Sequence, residues 1–350
     1  MAQLSDDQIR RLRNLVDQPD LSGTRYEIVR RLATGGMGTI FLAHDNGLKR
    51  EVALKVLTLP DASGALVERL LQEAQTVAQL EHPAIIPIHD VGRLPDGRVF
   101  YAMKYVQGKT LEEYRTPAIP LNELLRLLPR VCDAVAFAHS HGILHRDLKP
   151  SNIMVGPFGE VLVMDWGIAT RQVRGVAHDE SNPSGVEAIS SSPEMTGHGV
   201  IVGTPAYMSP EQASTDGSTL DTRTDVYGLG AVLYFVLTGR PPATGGSSEE
   251  ILQRVQSGQI KPPRARDPDI PHRLEAICLK ALATNPFARY QRADAMARDL
   301  QLYLEGLPVS AYRESTFERI WRWIGNNQFI VIIALVYVIV RLFFLLWRGL

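Results

Sequence analysis

Eight residues, 145–152, gather a dense set of reactive groups: His-Arg-Asp-Leu-Lys-Pro-Ser-Asn. The carboxylate of Asp147 stands two positions before the ammonium of Lys149 and five before the amide of Asn152. A carboxylate can orient a hydroxyl and accept its proton. An ammonium beside it can neutralise charge on a phosphoryl group in transit, and an amide oxygen can help hold a metal ion. In isolation such a run is a solvated turn rich in charge. Its weight comes from companions at set distances along the chain.

A long apolar helical pattern over 121–141 precedes the loop and a short apolar strand over 153–155 follows it, so two rigid elements hold it. A second apolar run, 161–164, forms a hairpin with the first and ends at Asp165-Trp166-Gly167. A carboxylate 13 residues after Asn152, across such a hairpin, can share a Mg²⁺ with that amide. Magnesium takes few protein carboxylates and completes its shell with phosphate oxygens and water.

Upstream, residues 26–32 and 39–43 are strand-like and are joined by Ala33-Thr34-Gly35-Gly36-Met37-Gly38. Glycines between strands let the backbone approach a phosphate and present its N–H groups. Glycine-rich hairpins are common, so this signal is weak alone. Val52-Ala53-Leu54-Lys55 follows as a third strand. Burying its lysine is costly unless the charge meets a partner. The expected partners are nucleotide phosphates and Glu73, on a helix expected at about 65–80. Strands at 85–91 and 99–106, joined by a turn at Pro95-Asp96-Gly97, complete five strands and one helix.

Downstream, residues 171–200 are rich in Ser, Gly, Pro and His and read as a long loop. Asp225 heads an apolar helix to about 237, where a carboxylate serves as a cap or a backbone anchor. Helices follow at 249–256, 271–283 and 293–304. Arg289 is the expected buried partner of Glu211. Near the N-terminus, residues 5–17 read as a short amphipathic helix with a Ser5–Gln8 capping box, ended by Pro19.

In this order the motifs resemble the eukaryotic-like (Hanks-type) protein kinases over about 26–304. They are most similar to the bacterial serine/threonine kinases, given Gly35-Gly36-Met37-Gly38, Asp165-Trp166-Gly167 and the run 203–211, Gly-Thr-Pro-Ala-Tyr-Met-Ser-Pro-Glu. The resemblance implies an α+β, two-lobed fold: a small lobe of five antiparallel strands plus one helix, and a mainly helical large lobe. It implies ATP as phosphoryl donor and Mg²⁺, or alternatively Mn²⁺, as metal. Asp147 would be the catalytic base, with Lys149 beside it. Lys55 would contact the α- and β-phosphates and pair with Glu73, while Asn152 and Asp165 hold the metal.

The nucleotide would be covered by Leu32, Ala33, Thr34, Gly35, Gly36, Met37, Gly38, Thr39 and Ile40. Ala53, Met103 and Met154 would line the adenine site, with Tyr105 and Val106 at the hinge. Lys149 with Thr204 marks the serine/threonine branch, Thr204 contacting Asp147 and Lys149 in a platform for protein substrates. Arg146 implies control by phosphorylation, with Ser190, Ser191, Ser192 and Thr196 as candidate autophosphorylation sites. Ala33 replaces the usual first glycine of the loop and Trp166 the usual phenylalanine; neither change removes a reacting group. A nucleotide-filled, non-catalytic scaffold is the rival from another class, marked by binding without transfer. A small-molecule kinase is disfavoured by the run 203–211.

Residues 329–347 are apolar except for Tyr337 and Arg341. As a helix they extend about 28 Å, against roughly 30 Å of hydrocarbon in a bilayer. Arg341 costs about 2.5–3.5 kcal/mol at most and can snorkel. Fifteen Leu, Ile, Val or Phe residues oppose it with roughly −4.5 to −9 kcal/mol. A transmembrane helix is therefore expected at 328–347, after a linker at 305–327, with Trp321, Trp323 and Trp347 as interfacial flanks. Arg313, Arg319 and Arg322 precede the span and Arg348 follows it, which places the kinase on the cytoplasmic side of a bacterial inner membrane. The lipid bilayer is then a partner. Tethering raises local concentration and favours a homodimer acting in trans. With about three residues beyond the span, no external sensor domain is expected.

The chain has 350 residues, 45% hydrophobic, with formal net charge −1. Length alone suggests about two domains. Near-neutrality gives no basic footprint for nucleic acid. Cys132 and Cys278 fall in separate helical patterns, which argues against a disulfide scaffold and for a reducing compartment. Asp6 and Asp7, with no early apolar run, argue against a secretory signal.

Overall fold

The computed structural model describes residues 19–35, 38–57, 64–166, 205–214, 220–313 and 328–348. The expected helix at 5–17, the loop at 171–200 with Ser190, Ser191, Ser192 and Thr196, and Gly36, Met37, Gly167 and Thr204 lie outside the described residues.

The small lobe contains β1 (Tyr26–Gly35), β2 (Gly38–Asp45), β3 (Arg50–Leu57), α1 (Gly64–Ala78), β4 (Ile88–Arg93) and β5 (Val99–Lys104). The strands form one antiparallel sheet in the order β1-β2-β3-β5-β4. β3 is central because Val52 through Leu57 are all buried, so both its faces need cover. That placement buries Lys55 in mid-strand, opposite Ile40 on β2 and Tyr101 on β5. Gly38 has no room for a side chain: a Cβ there would meet the Val56 carbonyl oxygen at 2.3 Å.

The large lobe contains β6 (Lys109–Thr110), α2 (Leu111–Tyr114), α3 (Leu121–Ser140), β7 (Ile153–Val155), β8 (Val161–Val163), α4 (Pro210–Ala213), α5 (Thr222–Thr238), α6 (Ser248–Gln256), α7 (His272–Ala281) and α8 (Ala293–Leu304). Every residue of α5 from Thr224 to Leu237 is buried, which makes this all-round apolar helix the post that the lobe packs against. The helix starts a turn earlier than the sequence pattern indicates. Asp221, not Asp225, is its cap, accepting from the Arg223 N–H at 2.8 Å. Asp225 is left inside the first turn with both oxygens free for other work.

One apolar cluster runs through both lobes, from Ala53, Leu57 and Met103 to Leu128, Val163, Trp166 and Leu229. A short backbone splice fastens the lobes at its centre. Ile86 N–H donates to the Val163 carbonyl at 3.1 Å, and Val163 N–H donates to the Ala84 carbonyl at 2.8 Å. The strand β8, which leads to Asp165, is thereby fixed to the small lobe.

The last element, α9 (Gln328–Arg348), is 21 residues long. Ile332, Ile333 and the residues from Leu335 to Val340, Tyr337 among them, are large and exposed, so this stretch leaves its apolar side chains uncovered. Among the residues whose side chains are described, no helix is long and apolar enough to cross a membrane. In α9 the longest such run is 331–341.

Candidate active site

The loop at 145–152 is held by groups that lie deeper in the lobe. Asp225 Oδ2 accepts from the His145 N–H at 2.8 Å and Oδ1 from the Arg146 N–H at 2.7 Å. His139 Nε2, from the end of α3, lies 2.7 Å from Oδ2. Burial alone would raise the Asp225 pKa, but the His139 hydrogen bond and charge, with the Arg146 N–H, hold it below the ordinary value. The side chain of Gln212 on α4 donates to the Arg146 carbonyl at 2.6 Å. These clamps act on both sides of a residue with φ +67, a left-handed conformation that costs a non-glycine residue about 1–3 kcal/mol. The strain persists because its neighbours over-determine it.

His145 is buried and joins the loop to β8. Its Nε2 meets the Met164 carbonyl at 2.8 Å, and its Nδ1 accepts from the Asp147 N–H at 3.3 Å. A carbonyl only accepts, so the proton is on Nε2. Met164 N–H donates to the Asn152 carbonyl at 2.9 Å. Asp165 therefore follows a residue bonded to both ends of the catalytic loop. It has φ +55, which aspartate tolerates better than most side chains.

The reacting groups form two linked sets. Lys149 Nζ lies 2.7 Å from Asp147 Oδ2, and Asn152 Nδ2 donates to the Asp147 carbonyl at 2.8 Å and to Oδ2 at 3.1 Å. In the second set, Lys55 Nζ lies 2.6 Å from Asp165 Oδ1. Burial works against charge on Lys55, but the oxygens of Tyr101 and Asp165 outweigh it, and its pKa is raised. The lysine stays an ammonium.

Around these groups, Leu32, Ile40 and Val106 pack on the apolar cluster that contains Ala53 and Met103. Met154 is half-buried on β7, opposite Leu162. Ala33, Thr34 and Gly35 pair with Ile40, Thr39 and Gly38 across the hairpin, and Tyr105 is half-buried just beyond β5. The expected partner of Lys55, Glu73, lies on α1, but its side chain is outside the described set. The partner that the structure gives Lys55 is Asp165.

Glu211 and Arg289 pair as expected, at 2.7 and 2.8 Å through both nitrogens of the guanidinium fork. Arg289 also donates to the carbonyls of Ala283, Arg223 and Thr284, and Thr224 Oγ1 donates to Glu211. The sequence reading missed Tyr101, whose hydroxyl donates to Asp165 Oδ1 at 3.5 Å. Strand pairing with Lys55 was the available signal. It also missed His139 and Gln212, which sit in helical patterns whose spacing says nothing of a partner 86 or 66 residues away.

Known proteins share this fold. The protein kinase domain family matches the chain over residues 26–300. The chain belongs to that family. It is 40% identical over 300 residues to the serine/threonine-protein kinase PknB of Mycobacterium tuberculosis, covering 84% of this chain and 45% of that one. It is 37% identical over 281 residues to PrkC of Bacillus subtilis, covering 79% and 40%. The crystal structure of the M. tuberculosis PknI kinase domain is similar with a TM-score of 0.58 and 29% identity, covering 79% of this chain and 95% of that one. The chain thus stands with the bacterial Hanks-type serine/threonine kinase family, and spans less than half the length of these curated relatives.

The family implies ATP and a divalent metal, and the residues present fit a metal. Asn152 spends its amide N–H groups on Asp147, which leaves its oxygen as the free acceptor. With the carboxylate of Asp165 this makes two hard oxygen donors. A small hard cation that keeps phosphate oxygens and water needs no more.

Proposed function

We propose that the chain is an ATP- and Mg²⁺-dependent serine/threonine protein kinase, anchored in a bacterial cytoplasmic membrane by residues 328–347 with its catalytic lobes in the cytoplasm. The carrying observation is that Met164 binds both ends of the loop 145–152. Those two bonds join the loop to the residue before Asp165, the carboxylate that Lys55 meets. A substrate hydroxyl placed on Asp147 would lose its proton to that carboxylate as its oxygen attacks the γ-phosphorus, while Lys149 neutralises charge on the moving group. Lys55 would exchange Asp165 for the α- and β-phosphates. The metal, held by Asn152 and Asp165, would supply charge neutralisation on the phosphate oxygens. Choice of Ser/Thr hydroxyls is supported by Lys149 after the catalytic aspartate and by the relatives' printed activity.

The anchor is supported by the contiguous exposed apolar side chains of α9 and by the arginines that precede it. Two copies on one membrane would meet readily, which favours a homodimer and autophosphorylation at Ser190, Ser191, Ser192 or Thr196. The deciding experiment follows phosphate transfer from ATP to the chain and to generic Ser/Thr substrates, with and without a chelator, together with the membrane fraction of the full chain. Transfer that needs Mg²⁺, and partition lost on deleting 328–350, are the expected results. A chain that binds nucleotide but transfers nothing would be a scaffold instead.

A further inference from the structure

Past the end of the family match at residue 300, the chain does not leave the large lobe at once. Val309 is buried in the main apolar cluster, and Ala311 and Tyr312 pack against it. Asp299 on α8, only 2% exposed, grips this strap. Its Oδ2 accepts from Tyr290 OH at 2.7 Å, Ser310 Oγ at 2.8 Å and the Ala311 N–H at 3.1 Å, and Oδ1 accepts from the Ser310 N–H at 2.8 Å. Four donors thus meet a group with about four acceptor positions. Lys280 Nζ donates to Ser310 Oγ at 3.2 Å from its place over the Tyr290 ring. Ser310 itself is exposed.

We infer that Ser310 is a phosphorylation site and that a phosphoryl group on it opens this latch. The modification removes one of the four donors and sets a charge of about −1.5 to −2 against a buried carboxylate. Lys280 offers a single positive charge against those anions. The amides of Ser310 and Ala311 then lose their acceptor, and Val309 leaves the cluster. In the transfer, Ser310 Oγ bonds to the γ-phosphorus of ATP, the bond from that phosphorus to the ADP oxygen breaks, and the hydroxyl proton passes to Asp147 of the acting molecule. While latched, the Ser310 hydroxyl lies on Asp299 of its own chain, so the acting molecule is a second copy. That assignment rests on the chain being an active kinase.

Release lengthens the connection to α9. Latched, 14 residues, 314–327, separate the strap from the helix; unlatched, with Leu307 still bonded to Leu302 and Arg273, the free segment is 308–327, or 20 residues. At about 3.3–3.6 Å per extended residue the maximum reach grows from roughly 50 to roughly 70 Å. The latch therefore sets how far the catalytic cleft can stand from whatever holds α9.

The test uses the full chain. Phosphosites are mapped after incubation with ATP and Mg²⁺, and hydrogen exchange is followed at the amides of residues 310 and 311 in wild type, S310E and S310Q. Glutamine has the size of glutamate without its charge, and amides of α5 report global folding. Phosphate on Ser310, and exchange about tenfold or more faster in S310E than in S310Q with α5 unchanged, are expected for local opening. Equal exchange in the two variants, or slower exchange in S310E through a new bond to Lys280, overturns the latch. A chain that phosphorylates a generic substrate yet leaves Ser310 bare overturns the modification site. A chain that phosphorylates nothing overturns the second copy as donor along with the kinase reading, and the S310E–S310Q comparison decides the latch on its own.

Discussion

Two kinds of carboxylate meet at the loop 145–152, and they are treated in opposite ways. Asp225 is 1% exposed, and its acceptors are used by His139 and two backbone amides. Asp147 keeps 29% of its side chain exposed and is held by Lys149 and Asn152, groups to which the proposed function assigns the same reaction. Glu211 with Arg289 resembles the first kind, and Asp165 with Lys55 the second. Anchors are saturated from inside the protein and hold the loop in a strained shape. Reactants are paired with one another, so that each can change partner when substrate arrives. An anchor should fail as a stability defect and a reactant as a rate defect.

The sharpest test of this division is Asp147→Asn. Phosphate transfer should fall by about 10²–10⁴-fold, the usual worth of a general base, with nucleotide affinity and melting temperature close to wild type. A large loss of stability instead would place Asp147 among the anchors. Arg289→Ala should do the reverse. It strands Glu211 without its countercharge, and urea unfolding should report a loss of about 3–5 kcal/mol.

Gly38→Ala probes the hairpin over the nucleotide, where the Val56 carbonyl leaves no room for a Cβ. A cost of about 1–3 kcal/mol is expected from the forced backbone shift, together with weaker ATP binding in an equilibrium titration. The smallest effect concerns pH. Burial would raise the pKa of Glu211, but Arg289 holds it below its ordinary value of 4.5. A carboxylate whose pKa falls on folding contributes stability above its unfolded pKa and loses it as pH drops through the folded one. The stability gap between wild type and Glu211→Gln should therefore be constant above about pH 4.5 and narrow below it. A gap that narrows on the alkaline side instead would mean that the pair is not the source.

Much of this was legible in the residues. The strand-like runs gave five strands, the fourth expected at 85–91 and found at Ile88–Arg93, and the apolar pattern of residues 121–141 gave α3 almost to the residue. The Glu211–Arg289 pair was also legible, because a charged residue amid apolar sequence must find its opposite. Less visible were the groups that act on the loop from a distance. His139 and Gln212 carry no spacing signal, since what matters is where α3 and α4 end in space. The contact of Lys55 with Asp165, 110 residues away, carries no such signal either.

By itself the sequence determined which reactive groups are present: the carboxylates of Asp147 and Asp165, the ammonium groups of Lys55 and Lys149 and the amide of Asn152, each tied to a strand or loop by local pattern. It also determined the apolar stretch at 329–347, because hydropathy depends on composition alone. Only the tertiary structure decided who holds whom. Asp225 became an anchor because α5 begins at Asp221 and turns its carboxylate under the loop, and Asp299 gripped Ser310 because the chain folds back after α8. Such pairings join residues far apart in sequence, and a long-range contact is fixed by how whole elements pack rather than by any residue's own preference.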